Sequence, residues 1–126
     1  MTKELNDIFE ENLENLIVTA IEGGSNYWYW LTKEATDIIR ENATDNTDPL
    51  SVKLCRAIES GHIIPIHKKS DKTEVGAINM ASAKNAFKKL HNNYPERSAR
   101  VITGGYDAND ADVWFQLAVM NKIVFG

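Results

Sequence analysis

A chain of 126 residues, 43% hydrophobic and 25% charged, has the size and composition of one domain over residues 1–126 with a real core. Eighteen acidic residues against 14 basic ones leave a net charge of −4, which argues against a nucleic-acid-binding surface. The basic clusters (Lys68 with Lys69, Lys88 with Lys89, Arg97 with Arg100) are each short. No apolar run is long enough to span a bilayer, and the acidic, polar residues 1–7 do not resemble a signal peptide. Cys55 is the single cysteine, so no internal disulfide forms, and a cytoplasmic protein without a membrane partner is expected.

Leu5, Ile8, Phe9, Leu13, Leu16, Ile17, Ala20 and Ile21 recur every three or four residues. That spacing predicts an amphipathic helix over residues 2–22, with Glu10, Glu11, Glu14 and Asn15 on its wet side. Gly23 is placed to close the helix in the left-handed conformation, and Gly24 to let the chain leave at almost any angle. Tyr27, Trp28, Tyr29, Trp30 and Leu31 predict a strand. The alternative is a second helix beginning there and running through Lys33, Glu34 and Ala35 toward Ile38 and Ile39. Residues 42–48 are polar and turn-rich, and read as a loop. Asp48 as cap and Pro49 in the first turn predict a helix with Leu50, Leu54, Ala57 and Ile58 as its buried stripe and Gly61 at its end. Beside that stripe, Cys55 is read as a small buried thiol rather than a nucleophile.

Residues 62–67 read as a strand in which Pro65 marks an edge, and residues 74–78 as the returning arm of a hairpin. Asn79 caps a helix that puts Met80, Ala83, Phe87 and Leu90 on one face. Tyr94-Pro95 interrupts it, and residues 95–102 form another helix ended by Gly104 and Gly105. Acids suit the first turn of a helix, so Asp107, Asn109 or Asp110 is expected to cap a last helix running to about Met120 or Asn121. Ile123, Val124 and Phe125 read as a terminal strand. The expected fold is α+β: a small antiparallel sheet made of the aromatic segment, the hairpin and the terminal strand, packed by helices from both ends of the chain.

Glu22-Gly23-Gly24 followed by Tyr27-Trp28 forms one half of a pattern. The other half is Asp107-Ala108, Asp110-Ala111-Asp112, Gln116, Ala118 and Ile123-Val124-Phe125-Gly126. Together they resemble a widespread group of small bacteriophage and prophage proteins. The resemblance covers residues 22–28 and 107–126, and it implies an origin and a setting in the bacterial host cell rather than a mechanism. Accessory phage proteins of this size act in host takeover or against host defences, by binding a host protein or sequestering a signal nucleotide.

Asp107, Asp110 and Asp112 form the densest acidic cluster, and a hard divalent cation favours such oxygens. The calcium-loop pattern fails, because Ala111 falls at a ligand position and Asp112 where the turn glycine belongs. Helix capping explains the same residues, so no metal and no cofactor is expected. Gly23 and Gly24 follow a helix instead of preceding one, which favours a helix end over an anion nest. His62 and His67 fall on opposite faces of a strand and are not joint ligands; His91 suits a helix C-terminus. No serine has a histidine and acid at a recognisable family spacing.

Four successive aromatics in a strand put two on each face. One pair joins the core, and the other faces a helix, a second subunit or a ligand, so a homo-oligomer is expected. Glu22 and Gln116 sit beside core positions, where an unpaired polar group costs about 1–3 kcal/mol. Glu22, Asn26, Trp28, Asp112 and Gln116 are therefore expected to line one ligand-binding cleft joining both ends of the chain. The alternative is a solvated Glu22 and a Gln116 that braces the turn. The favoured function is a small phage-type binding or regulatory protein for a nucleotide or a host protein. A small metal-dependent enzyme acting on a nucleotide or nucleic acid, using Asp107, Asp110 and Asp112, is the alternative.

Overall fold

In the computed structural model, which describes residues 4–43 and 45–126, the N-terminal apolar repeat forms helix α1 (Leu5–Thr19). The expected start at Thr2, and Thr44 within the expected loop, lie outside the described residues. Phe9, Leu13, Leu16 and Ile17 are buried along one face of α1. The helix then widens into a π-helical turn, Ala20–Gly24, closed by the Ser25 amide donating to the Ala20 carbonyl at 2.7 Å. Gly23 therefore does not close the helix in the left-handed conformation: neither it nor Gly24 has a positive φ. The wider turn satisfies the terminal carbonyl instead. Gly24 is needed for a different reason, since a Cβ there would stand 2.2 Å from the Ala108 carbonyl oxygen.

The aromatic run is strand only at Tyr29–Trp30 (β1), and helix α2 (Lys33–Glu41) follows at once. Thr32 caps α2 by accepting from the Ala35 amide at 3.2 Å, so a strand and a helix share the stretch that was read as a choice between them. Helix α3 spans Leu50–Glu59, and its Leu54, Cys55, Ala57 and Ile58 are buried. Pro49, not Asp48, occupies its N-cap position, and no side chain caps it. Gly61, at φ 93°, turns the chain out of α3 as expected.

Strands β2 (Ile64–Lys68) and β3 (Glu74–Ile78) form the antiparallel hairpin, with Ile64 opposite Ile78 and Pro65 opposite Ala77. The sheet order is β1-β2-β3, so Pro65 lies in the middle strand and not in an edge strand. It is tolerated because β1 pairs only with His67 and Lys68, and the other side of Pro65 needs no donor. The observed class is α+β with helices packed on a small antiparallel sheet. Ile123, Val124 and Phe125 add no strand to it; Gln116 holds their backbone, as described below.

Helix α4 (Met80–Asn93) begins with a reciprocal box in which Asn79 and Ser82 each accept from the other's amide. Pro95 opens α5 (Pro95–Thr103), and Gly104, at φ 83°, closes it. The last helix, α6 (Ala108–Met120), buries every residue from Asp110 through Val119. A helix apolar nearly all round belongs at the centre of a fold. Trp114 fills the space against α4, and its indole N–H donates to the Ala83 carbonyl at 3.2 Å. Full burial of a large apolar side chain such as Phe115 or Phe87 stabilises by roughly 1.5–3 kcal/mol. Two glycines let the chain touch the α6 backbone directly. Gly24 meets Ala108 at its start, and a Cβ on Gly76 of β3 would lie 2.0 Å from the Val119 carbonyl at its end.

Candidate functional site

Two polar constellations stand out, one closed and one open. The closed one is centred on Asp112, only 4% exposed on the first turns of α6. The bend after the π-helical turn aims three closely spaced donors, on Ser25, Tyr27 and Trp28, at it. Ser25 Oγ donates to Oδ1 at 2.7 Å, the Trp28 indole to Oδ1 at 2.8 Å, and the Tyr27 hydroxyl to Oδ2 at 2.7 Å. Gln116, one helical turn on, donates to Oδ2 at 3.1 Å. Each carboxylate oxygen thus has two donors, which is the condition for keeping a carboxylate out of water. Among the described residues no lysine, arginine or histidine pairs with it. Burial, reinforced by the bond to Asp112, pushes the Tyr27 hydroxyl up to about 12.

Gln116 also fastens the C-terminal segment. Its Oε1 accepts from the Val124 and Phe125 amides, both at 2.8 Å, and its Nε2 donates to the Phe125 carbonyl at 3.1 Å. One amide side chain supplies the partners that a neighbouring strand was expected to give. Phe125 then stacks on Trp28, with ring centroids 5.0 Å apart and planes 18° off parallel.

Of the five expected site residues, Trp28, Asp112 and Gln116 are joined directly. Glu22 is not in the group: its Oε2 accepts from Ser51 Oγ at 2.5 Å and ties the π-helical turn to α3. Asn26 is exposed, and its carbonyl accepts from Lys69 Nζ. Ser25, Tyr27 and Phe125 belong to the Asp112 group and were not among the residues expected there. Strand alternation would have set Tyr27 and Trp28 on opposite faces, but residues 26–28 form a turn that brings both to Asp112, and nothing in the sequence tied Ser25 to it.

The three acids of the last helix diverge. Asp107 caps α6 by accepting from the Asp110 amide at 2.8 Å. Asp110, fully buried, accepts from Arg97 Nη1 at 2.6 Å and from Arg100 Nε and Nη2, both at 2.7 Å. The Arg100 guanidinium above all holds its carboxyl down to about 2. Among the described residues, no group of three or more histidines, cysteines or acids is arranged to hold a metal ion. Cys55 is fully enclosed, and burial pushes its thiol up to about 12, so it is no nucleophile at neutral pH.

The open constellation is a cleft of about 350 Å³ beside β1. Tyr29, Leu31 and Leu50 form its apolar wall, and Asn26, Trp30, Thr36, Arg40 and Lys69 supply the indole and the polar groups. Among the described residues no carboxylate lines it. Local structure explains each placement. The ladder between β1 and β2 sets Trp30 opposite His67. Arg40 lies in the last turn of α2, where the helix dipole favours a cation. Lys69 is fixed by its amide donating to the Trp28 carbonyl at 2.6 Å. Trp30 is 40% exposed, and Lys72 Nζ stands 3.7 Å from its ring centroid. Chemically the cleft offers a flat stacking surface, cations and two neutral polar side chains.

No protein-family model, curated protein or solved structure matches the chain. Among the described residues no helix is long and apolar enough to cross a membrane.

Proposed function

We propose that the chain is a small phage-type binding and regulatory protein that sequesters a nucleotide in the cleft beside β1, in the service of host takeover or of countering a host defence. The observation that carries this reading is the pairing of a half-exposed indole, Trp30, with Arg40 and Lys69 in a cleft free of carboxylates. Base–aromatic stacking is sequence-tolerant and worth about 1–3 kcal/mol, and phosphate seeks guanidinium and ammonium groups. A binding role is favoured over the metal-dependent enzyme because Asp107 and Asp110 are engaged in the helix cap and the arginine pairs, while Asp112 is engaged by Ser25, Tyr27, Trp28 and Gln116.

A protein partner, either a host protein or a second copy of this chain, is the competing reading. Ile123 and Val124, 41% and 50% exposed, favour it, beside a groove of about 300 Å³ formed by Val75, Met120 and Phe125. Trp28 and Trp114 are buried, so iodide quenching reports chiefly on Trp30. Adenine and guanine nucleotides are expected to shield that indole from iodide in a saturable titration. Trp30→Ala is expected to abolish the binding measured by calorimetry. A flat titration across both series sinks the nucleotide reading. Sedimentation as a dimer with Trp30 already shielded favours the protein partner.

A further inference from the structure

Five cations stand along the segments that form and border the cleft: Lys33, Arg40, Lys68, Lys69 and Lys72. Two are neutralised locally, Lys33 by Asp37 at 2.8 Å and Lys68 by Asp71 at 3.3 Å. The other three are not. Among the described residues Arg40 makes no ion pair. Lys69 Nζ donates only to the Asn26 carbonyl, and Lys72 Nζ to the Lys69 carbonyl at 2.9 Å while standing over Trp30. A chain with net charge −4 has carboxylates to spare, yet among the described residues none forms an ion pair with these groups.

The position of Lys72 is built rather than incidental. Its φ of 64° is left-handed, which is uncommon outside glycine. Asp71 Oδ1 locks the turn by accepting from the Thr73 amide at 3.0 Å and hydroxyl at 2.7 Å, and the Lys72 amide donates to the Lys68 carbonyl at 2.9 Å. The indole that meets this ammonium is half-exposed and also lines the cleft.

We infer that the cleft takes a nucleotide bearing two or more phosphates, an inference that rests on the nucleotide reading above. The base stacks on Trp30 on the side away from Lys72. Arg40 is suited to grip one phosphate with its planar fork, whereas Lys69 and Lys72 act as point charges. A single phosphate held by Arg40 leaves two cations unanswered, and a further phosphate answers them. Lys72 thereby has two roles, backing the stacked ring and drawing the phosphate chain.

The test is a calorimetric series with adenosine, AMP, ADP and inorganic pyrophosphate, and the matching guanine compounds, on the full chain and on Lys72→Gln. The wild type is expected to bind ADP or GDP at least about tenfold more tightly than the monophosphate. Lys72→Gln is expected to shrink that ratio several-fold, and raised salt to shrink it further. Unchanged thermal unfolding of Lys72→Gln shows that a loss is local. Equal affinity for mono- and diphosphate, or a ratio that Lys72→Gln leaves unchanged, overturns the polyphosphate inference while the nucleotide reading survives. Pyrophosphate binding as tightly as ADP overturns the role of the indole, and with it the nucleotide reading. Silence across the whole series overturns both.

Discussion

The Asp112 group and the Trp30 cleft use similar materials in opposite ways. Both join aromatic side chains to charge, and both begin in the segment after the π-helical turn. Around Asp112 every partner is supplied: two donors reach each oxygen, and Gln116 extends the network into the C-terminal segment. Around Trp30 the charges are left over, with Arg40, Lys69 and Lys72 short of carboxylates. Buried polar groups that are fully satisfied hold a structure in one arrangement. Charges without a counter-charge at an open cleft, held by no more than a backbone carbonyl or an indole face, are available to a ligand. The general lesson is that saturation, not polarity, separates the bracing site from the binding one.

The largest effect should come from breaking the saturated network. Asp112→Ala leaves the donors of Ser25, Tyr27, Trp28 and Gln116 without their acceptor and opens a gap at the start of α6. Stranded donors and lost packing should together destabilise the chain by about 3–5 kcal/mol. Urea unfolding measures this directly. A variant that unfolds as the wild type does but no longer binds a nucleotide would reverse the comparison, making Asp112 part of the binding site.

How much of this was legible in the sequence follows the range over which each cause acts. Periodicity revealed α1 and α4, capping acids revealed α6, and turn chemistry revealed the β2–β3 hairpin, because those signals lie within a few neighbouring residues. Polar residues set beside apolar ones showed that Glu22 and Gln116 needed partners, and Trp28 and Asp112 were within the expected group. Ser51, the partner of Glu22, lies 29 residues away and was invisible. The terminal strand was misread because alternation could not show that Gln116 takes the amides of Val124 and Phe125. Gly24 was read as flexibility, whereas its cause is the Ala108 carbonyl pressed against it. Arg40, Lys69 and Lys72 were unreadable for a further reason. Composition promised a surplus of acid, and only the tertiary arrangement shows where that surplus fails to reach.

An intermediate effect belongs to the second saturated carboxylate, Asp110. Its folded-state value near 2 lies below the ordinary 3.8, so the protonated form favours the unfolded chain. The stabilisation is fully present above about pH 5 and fades as pH falls through 3.8 toward 2. Because Arg97 and Arg100 lie partly in solvent, its size should be about 1–2 kcal/mol. Asp110→Asn should therefore flatten the acid limb of the stability curve between pH 5 and about pH 2, measured by denaturant midpoints at each pH. An acid limb with the same slope in the variant would show that Asp110 is not the group responsible.

The smallest stability effect is the most telling for the cleft. In Arg40→Gln and Lys69→Gln a cation without a counter-charge is removed from beside others of its sign. Surface substitutions of this kind should change stability by no more than about 0.5 kcal/mol, and relief of like-charge repulsion sets the sign toward a small gain. Affinity for a nucleoside diphosphate should fall by about tenfold in each, since a charge-assisted hydrogen bond is worth about 1.5 kcal/mol or more. Denaturant unfolding and calorimetry on the same samples separate the two quantities. Stability unchanged with binding lost is the signature of a charge kept for a ligand. Should Arg40→Gln instead cost more than 1 kcal/mol of stability, the guanidinium is bracing the fold as the Asp110 arginines do. The contrast between the two regions would then vanish at the residue on which the cleft most depends.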